Sequence, residues 1–180
     1  LTAETARVRE TFLRGRHDDA VVRRALGITR EHARRQIGEE AYIVQLMGAM
    51  ALFRGRIIEM LTGEGKTLTG SIAAPLLAWE HKHLHILTVN DYLAKRDAES
   101  RAGIYKRCLL DVGAIQQEQE PGERARIYAL PIVYATPKQI VADWLRDQIK
   151  LGPLRSAWAG LRGLGGQGGG SAGLSVGGAG

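Results

Sequence analysis

The sequence holds a single cysteine, Cys108, in 180 residues. A lone thiol excludes an internal disulfide, fits a reducing compartment and is expected as a buried core side chain. No apolar run reaches the roughly 18 residues that a membrane-spanning helix needs. The first residues also lack the basic, apolar and small-residue succession of a signal peptide, so the expected location is cytosolic, or at most peripheral to a membrane. No internal repeat is present, which excludes a solenoid or propeller. Acidic residues are in deficit: 19 Asp and Glu stand against 25 Lys and Arg, for a net charge of +6. Nineteen of those cations are arginine, and eleven of the arginines precede residue 57. The front of the chain therefore carries a positive field that favours phosphate, acidic lipid or nucleic acid without choosing among them. What is there, 44% hydrophobic and 24% charged residues, is the composition of one water-soluble domain long enough to bury a core.

The most informative stretch runs from Glu59 to Leu68, Glu-Met-Leu-Thr-Gly-Glu-Gly-Lys-Thr-Leu. It reads as a phosphate-binding loop between the apolar pair Ile57-Ile58 and a helix-favouring segment. Two glycines let successive N–H groups turn into one concavity, and the following helix adds its positive end there. Lys66 would reach the β- and γ-phosphates and the Thr67 hydroxyl would ligate Mg²⁺. The general G-x-x-x-x-G-K-[ST] pattern is half satisfied, because Met60 occupies its first position. The plainer alternative is a glycine-rich turn before a surface helix with a solvated lysine.

Residues 1–14 and 18–36 have the pattern of charged helices, with Gly15, Gly27 and Gly38 read as breaks between elements and few large apolar groups, as in a segment that docks on something else. From Ala41 to Phe53 the apolar positions spread around a helix, Gln45 being the polar exception. Four apolar runs then alternate with helical stretches: Arg56–Met60, Leu84–Val89, Val112–Ile115 and Ile132–Ala135, with helices near 67–81, 91–107, 121–129 and 137–149. This alternation predicts an α/β fold with a parallel sheet, right-handed crossovers and a ligand at the carboxyl ends of the strands. From Gly160 on, eleven of twenty-one residues are glycine and Arg162 is the only charge. Such a stretch cannot build a core, and residues from about 158 are expected to be a disordered tail.

Four blocks carry a family resemblance. They are Val44–Gly48, Arg56–Leu68, Thr88–Glu99 (Thr-Val-Asn-Asp-Tyr-Leu-Ala-Lys-Arg-Asp-Ala-Glu) and Trp144–Asp147. In order and spacing they resemble the first nucleotide-binding domain of SecA, the motor that drives preproteins through the SecY channel, over roughly residues 20 to 150. That family also places methionine before its Gly-Glu-Gly-Lys-Thr loop. The resemblance implies an incomplete P-loop sheet of RecA/helicase-like type with flanking helices. A helical segment (1–40) would come first, then a partial DEAD-like nucleotide-binding domain (41–157), then the glycine-rich tail (158–180). It implies that Gly63, Glu64, Gly65, Lys66 and Thr67 bind the phosphates of ATP with Mg²⁺ on the Thr67 hydroxyl, and that Gln45 reads the adenine. A carboxamide suits that second role, because it offers a donor and an acceptor to a purine edge. Tyr42, one turn earlier, would cover the ring. Asn90, Asp91, Arg96 and Asp97 are read as helix-capping and coupling residues beside the same cleft. The implied partners are a SecY-type channel, preproteins and anionic lipid, at the inner face of the membrane.

Three other features get plainer readings. His81, His83 and His85 alternate as on one strand face, but a metal site is not the favoured reading and they are read as structural. Thr136-Pro137-Lys138 is similar to a nucleic-acid-contacting motif of DEAD-box helicases, which with the basic front keeps a helicase-like module as the alternative function; nucleic acid is not the favoured partner. Arg146-Asp147 reads as an exposed helical pair. The block Thr136–Asp147 departs from the usual SecA wording, suggesting a divergent branch. The acidic Walker B strand and the arginine finger of the family have no counterpart after Asp147, so the chain is expected to bind ATP without a complete catalytic site.

Overall fold

A computed structural model describes the backbone of residues 1–164 and the side chains of residues 1–152. Two charged helices come first, α1 (Thr2–Leu13) and α2 (Asp19–Ile37). Gly27, expected as a break, lies inside α2, because a glycine within a well-packed helix weakens it without ending it. The Asp18 side chain caps α2 by accepting from the Val21 N–H at 2.9 Å, and Gly38 ends it in the left-handed conformation at φ 70°. Both devices satisfy end groups that a helix leaves unpaired. Most of the large apolar residues of these helices turn inward: Val8 and Phe12 from α1, and Val22, Leu26 and Ile28 from α2, are buried with Ala25 and Ala33, while Leu13 stays exposed. Phe12 stands edge-on to Phe53 and Trp79 at 5.7 and 5.6 Å between ring centres, which docks the front on the following helices.

Helix α3 (Ile43–Phe53) lies along α4 (Lys66–His81), and α4 is buried on nearly every side, from Leu68 to Trp79. A helix apolar all round belongs inside a layered fold, and α4 touches α1, α2, α3 and α5 (Asp91–Arg107). The Trp79 indole N–H donates to the Cys108 carbonyl at 3.0 Å, so its polar edge is satisfied in the core. Cys108 itself is buried, as its composition context predicts, and burial pushes its thiol up to about 12.

Strands β1 (Leu84–Leu87), β2 (Val112–Ala114) and β3 (Ile132–Ala135) pair in parallel in the order β1-β3-β2. Leu84 lies opposite Ile132 on one side, and Val112 opposite Ile132 on the other. The central strand β3 is buried at all its residues, which explains its unbroken apolar run Ile-Val-Tyr-Ala. Helix α5 crosses from β1 to β2, and α6 (Pro121–Tyr128) lies between β2 and β3. The fold is thus a mixed α/β, parallel-sheet fragment with flanking helices.

The expected first strand, Arg56–Met60, does not form, and the sheet has three strands instead of four. A strand exists only against a neighbour that supplies its ladder, and the three described strands pair only with one another. Residues 56–60 form no helix or strand; Ile57 is fully exposed, while Ile58 reaches back toward Gly48. Helix α7 starts where expected, at Pro137, but continues to Leu164 rather than ending near 149. The predicted tail from 158 therefore begins inside that helix. Residues 165–180, where its disorder is expected, lie outside the described residues. The chain separates into two units, residues 1–140 and 141–180. In the second, Arg146 pairs with Asp143 one turn earlier, and not with its neighbour Asp147.

Candidate functional site

The phosphate-loop residues form a tight turn ahead of α4. Gly63 and Gly65 both take left-handed backbone angles, φ 88° and 81°, where a side chain would be strained. The turn is tied at both sides of Leu61. Its carbonyl accepts from the Glu64 N–H at 3.2 Å and from Lys66 Nζ at 3.1 Å, and its own N–H donates to Glu64 Oε2 at 2.7 Å. Gly65 is the N-cap of α4, so the loop ends at that helix's unpaired, partly positive N–H groups. Gly63, Glu64 and Lys66 are exposed, while Gly65 and Thr67 are half-buried. The arrangement holds a cation and a hydroxyl side by side at a helix start, which is what a phosphate with its metal requires.

Gln45 is brought to this loop from the first turn of α3. It is only 7% exposed, so it is not a solvated helix residue. Its Oε1 accepts from the Tyr42 N–H at 2.9 Å, and its Nε2 donates to the Glu64 carbonyl at 2.8 Å. A Cβ placed on Gly65 would lie 2.2 Å from that Nε2. The carboxamide is therefore seated on the loop itself, through the place that a side chain at residue 65 would fill. Close approach of α3 and α4 makes this reach possible, since a Cβ on Gly48 would come within 3.0 Å of Thr69 Cγ2. Helix α3 starts at Ile43, which leaves Tyr42 as its N-cap with a ring 73% exposed.

The second group lies at the carboxyl end of β1. Asn90 is the N-cap of α5 and accepts from the Leu93 N–H at 2.8 Å, as its residue type predicts. Asp91 ties that helix start to the loop after β2, accepting from the Gln117 N–H at 3.2 Å while its carbonyl accepts from Gln116 Nε2 at 3.0 Å. Arg96 grips the neighbouring Asp97 through Nε and Nη2 at 2.9 and 2.6 Å. Among the described residues, no hydrogen bond joins these four to Lys66 or Thr67.

The histidines are held locally: His83 Nδ1 faces the Leu130 carbonyl at 3.3 Å, and the His85 ring stands edge-on to Tyr128 at 5.9 Å. Among the described residues no cluster of His, Cys, Asp or Glu has metal-holding geometry. Thr136-Pro137-Lys138 is a helix start, with Thr136 Oγ1 accepting from the Gln139 N–H at 3.3 Å and proline at the first position of α7. Two arrangements escape sequence reading. Arg124, buried on α6, donates to the carbonyls of Gln116, Gln117 and Gln119 and so fixes the loop that Asp91 also holds. The Tyr105 and Tyr134 hydroxyls meet in the core at 2.7 Å, a pairing that their distance in sequence conceals.

A parallel α/β sheet with a glycine-hinged Lys-Thr loop at a helix start defines a P-loop fragment of RecA type. Comparison with known proteins narrows this. Residues 1–161 match the family described as the SecA DEAD-like domain, and the chain belongs to that family. It is similar to the protein translocase subunit SecA of Thermosynechococcus vestitus, 45% identical over 149 residues, covering 83% of this chain and 16% of that protein. SecA 1 of Corynebacterium glutamicum is 44% identical over 149 residues, 83% of this chain and 18% of its own length. SecA of Thermus thermophilus is 40% identical over 153 residues, 85% of this chain and 15% of its own. The chain thus spans about a sixth of the curated relatives it matches.

Proposed function

We propose that this chain is the ATP-binding part of a SecA-type motor that couples ATP hydrolysis to protein translocation across a membrane. The observation that carries the reading is the glycine-hinged loop at the start of α4, with Lys66 and Thr67 beside it and Gln45 seated on it. Among the described residues Lys66 Nζ bonds only the Leu61 carbonyl, an interaction it can exchange for a charge-assisted bond to a phosphate oxygen. The loop N–H groups and the α4 terminus would hold the phosphates, and the Thr67 hydroxyl would be the protein's ligand to Mg²⁺. With no carboxylate cluster of metal-holding geometry among the described residues, the other ligands would be the nucleotide's phosphates and water. Gln45 would turn from the loop, or share its second N–H and lone pair, to read an adenine edge.

Several front arginines are already neutralised by neighbours, which weighs against the helicase-like alternative. Arg34 and Arg35 clamp Glu31, drawing its carboxyl down to about 2; Arg30 pairs with Glu40 and Arg54 with Asp19. Such pairs reduce the field a nucleic-acid backbone would feel. The partners carried by this reading are a SecY-type channel, preprotein segments and an anionic lipid surface, on the cytoplasmic side of the inner membrane. No described helix is long and apolar enough to cross a membrane.

Calorimetry with MgATP, MgADP and MgGTP tests the site. Weak binding of the adenine nucleotides is expected, weakened further by Lys66→Ala. Equal affinity of parent and variant would remove Lys66 from the site, and equal affinity for GTP would remove adenine reading from Gln45.

A further inference from the structure

The phosphate loop carries a negative charge of its own, and that charge is already bonded inside the turn. Glu64 Oε2 accepts from the Leu61 N–H at 2.7 Å while the Glu64 N–H donates to the Leu61 carbonyl at 3.2 Å, so the two residues close a reciprocal ring. Lys66 Nζ reaches the same carbonyl at 3.1 Å. Carboxylate and ammonium thus hold opposite ends of one residue, and among the described residues they form no ion pair with each other. We propose that the Glu64 side chain is an internal competitor of phosphate: its carboxylate holds the empty loop closed on Leu61 and opposes the anion that Lys66 and the loop N–H groups attract. The inference rests on reading the loop as a nucleotide site.

The backbone and the side chain of Glu64 act in opposite senses. Its carbonyl is anchored by Gln45 Nε2 at 2.8 Å, and the same peptide unit carries the Gly65 N–H, pointing the other way. Among the described residues the N–H groups of Gly65, Lys66 and Thr67 have no hydrogen-bond partner, so they are donors left for an anion at the start of α4. The carboxylate stands within two residues of all three. From Leu61 to Thr67 the loop holds one cation and one anion, Lys66 and Glu64, so its side chains bring no net charge to a phosphate. Both are exposed, and either can change partner without opening the core. A neutral carboxamide could accept from the Leu61 N–H and close the same ring, so the shape of the turn does not require the charge. The charge acts only on another ion, and the ion this turn is built to meet is a phosphate.

The test is calorimetric binding of inorganic pyrophosphate and of MgADP, at low and at high NaCl, to the 180-residue chain and to Glu64→Gln, each checked by its thermal transition. If the carboxylate competes with phosphate, the variant binds both probes about three- to tenfold tighter at low salt, the effect of removing one like charge near a phosphate. That advantage shrinks as NaCl screens the repulsion in the parent. Unchanged or weaker binding by the variant overturns the inference alone and makes the carboxylate a brace for the turn, and so does a gain that salt leaves untouched. Failure of both folded chains to bind either probe overturns the nucleotide-site reading and the inference with it. Should Glu64→Gln not fold, Glu64→Ala decides by the same signs, because a brace removed weakens binding and a competitor removed tightens it.

Discussion

At the scale of single residues the loop is a place where small changes have steep consequences. Lys66→Ala should weaken MgATP binding by roughly one to two powers of ten, the loss of a charge-assisted bond to phosphate. Gly65→Ala tests something different. Its φ of 81° disfavours any side chain, and its Cβ would lie 2.2 Å from Gln45 Nε2. The carboxamide must then leave, giving up its bond to the Glu64 carbonyl. Destabilisation of about 1–3 kcal/mol is expected from strain together with that loss, along with reduced preference for adenine. A denaturant midpoint unchanged from the parent would show that Gln45 does not depend on the glycine. Residue type alone pointed to Lys66, Thr67 and the Asn90 cap, because each acts through a local spacing. It did not show that Gln45 sits on the loop at Glu64 and Gly65, a contact across nineteen residues and more made by packing α3 on α4.

At the scale of elements, the docking of α1 on α2 hangs on a buried histidine. His32 is 2% exposed and its Nε2 lies 2.9 Å from Thr5 Oγ1. Thr5 spends its own proton on the Leu1 carbonyl at 2.9 Å, so its oxygen accepts and the neutral imidazole carries its hydrogen on Nε2. Burial first, then Arg107 and Arg35, hold the histidine below its ordinary value of 6.5. The unfolded chain therefore takes up the proton first as pH falls. Stability is fully present above about 6.5 and declines from there toward the lower folded value, the direction set by proton linkage. Thermal melts between pH 8 and 5 should fall with acid, and His32→Gln should flatten the fall. A profile as steep in the variant would assign the acid sensitivity elsewhere. Helix boundaries such as these were legible from glycines, caps and apolar spacing. The missing strand at 56–60 was not, because Ile57-Ile58 has strand composition whether or not a neighbour exists to pair with it.

At the scale of the whole molecule, the expected outcome is binding without a motor's rate of turnover. Hydrolysis needs a water aligned on the γ-phosphate, a metal held from more than one side, and a cation to oppose charge in the transition state. Lys66 and Thr67 supply part of this, and no carboxylate cluster of metal-holding geometry stands near them among the described residues. An arginine finger alone is worth about 10³–10⁵ in rate. The chain spans about a sixth of the length of its SecA relatives. The outer side of β1 is an open sheet edge, with Leu87 and the nearby Val89 exposed; an edge of that kind seeks a partner. Phosphate release by the purified chain should therefore be slow, and should rise when the remaining part of a SecA protein is added in trans. Steady turnover by the 180-residue chain alone, abolished by Lys66→Ala, would mean that a complete catalytic site is already present and that the division of labour argued here is wrong.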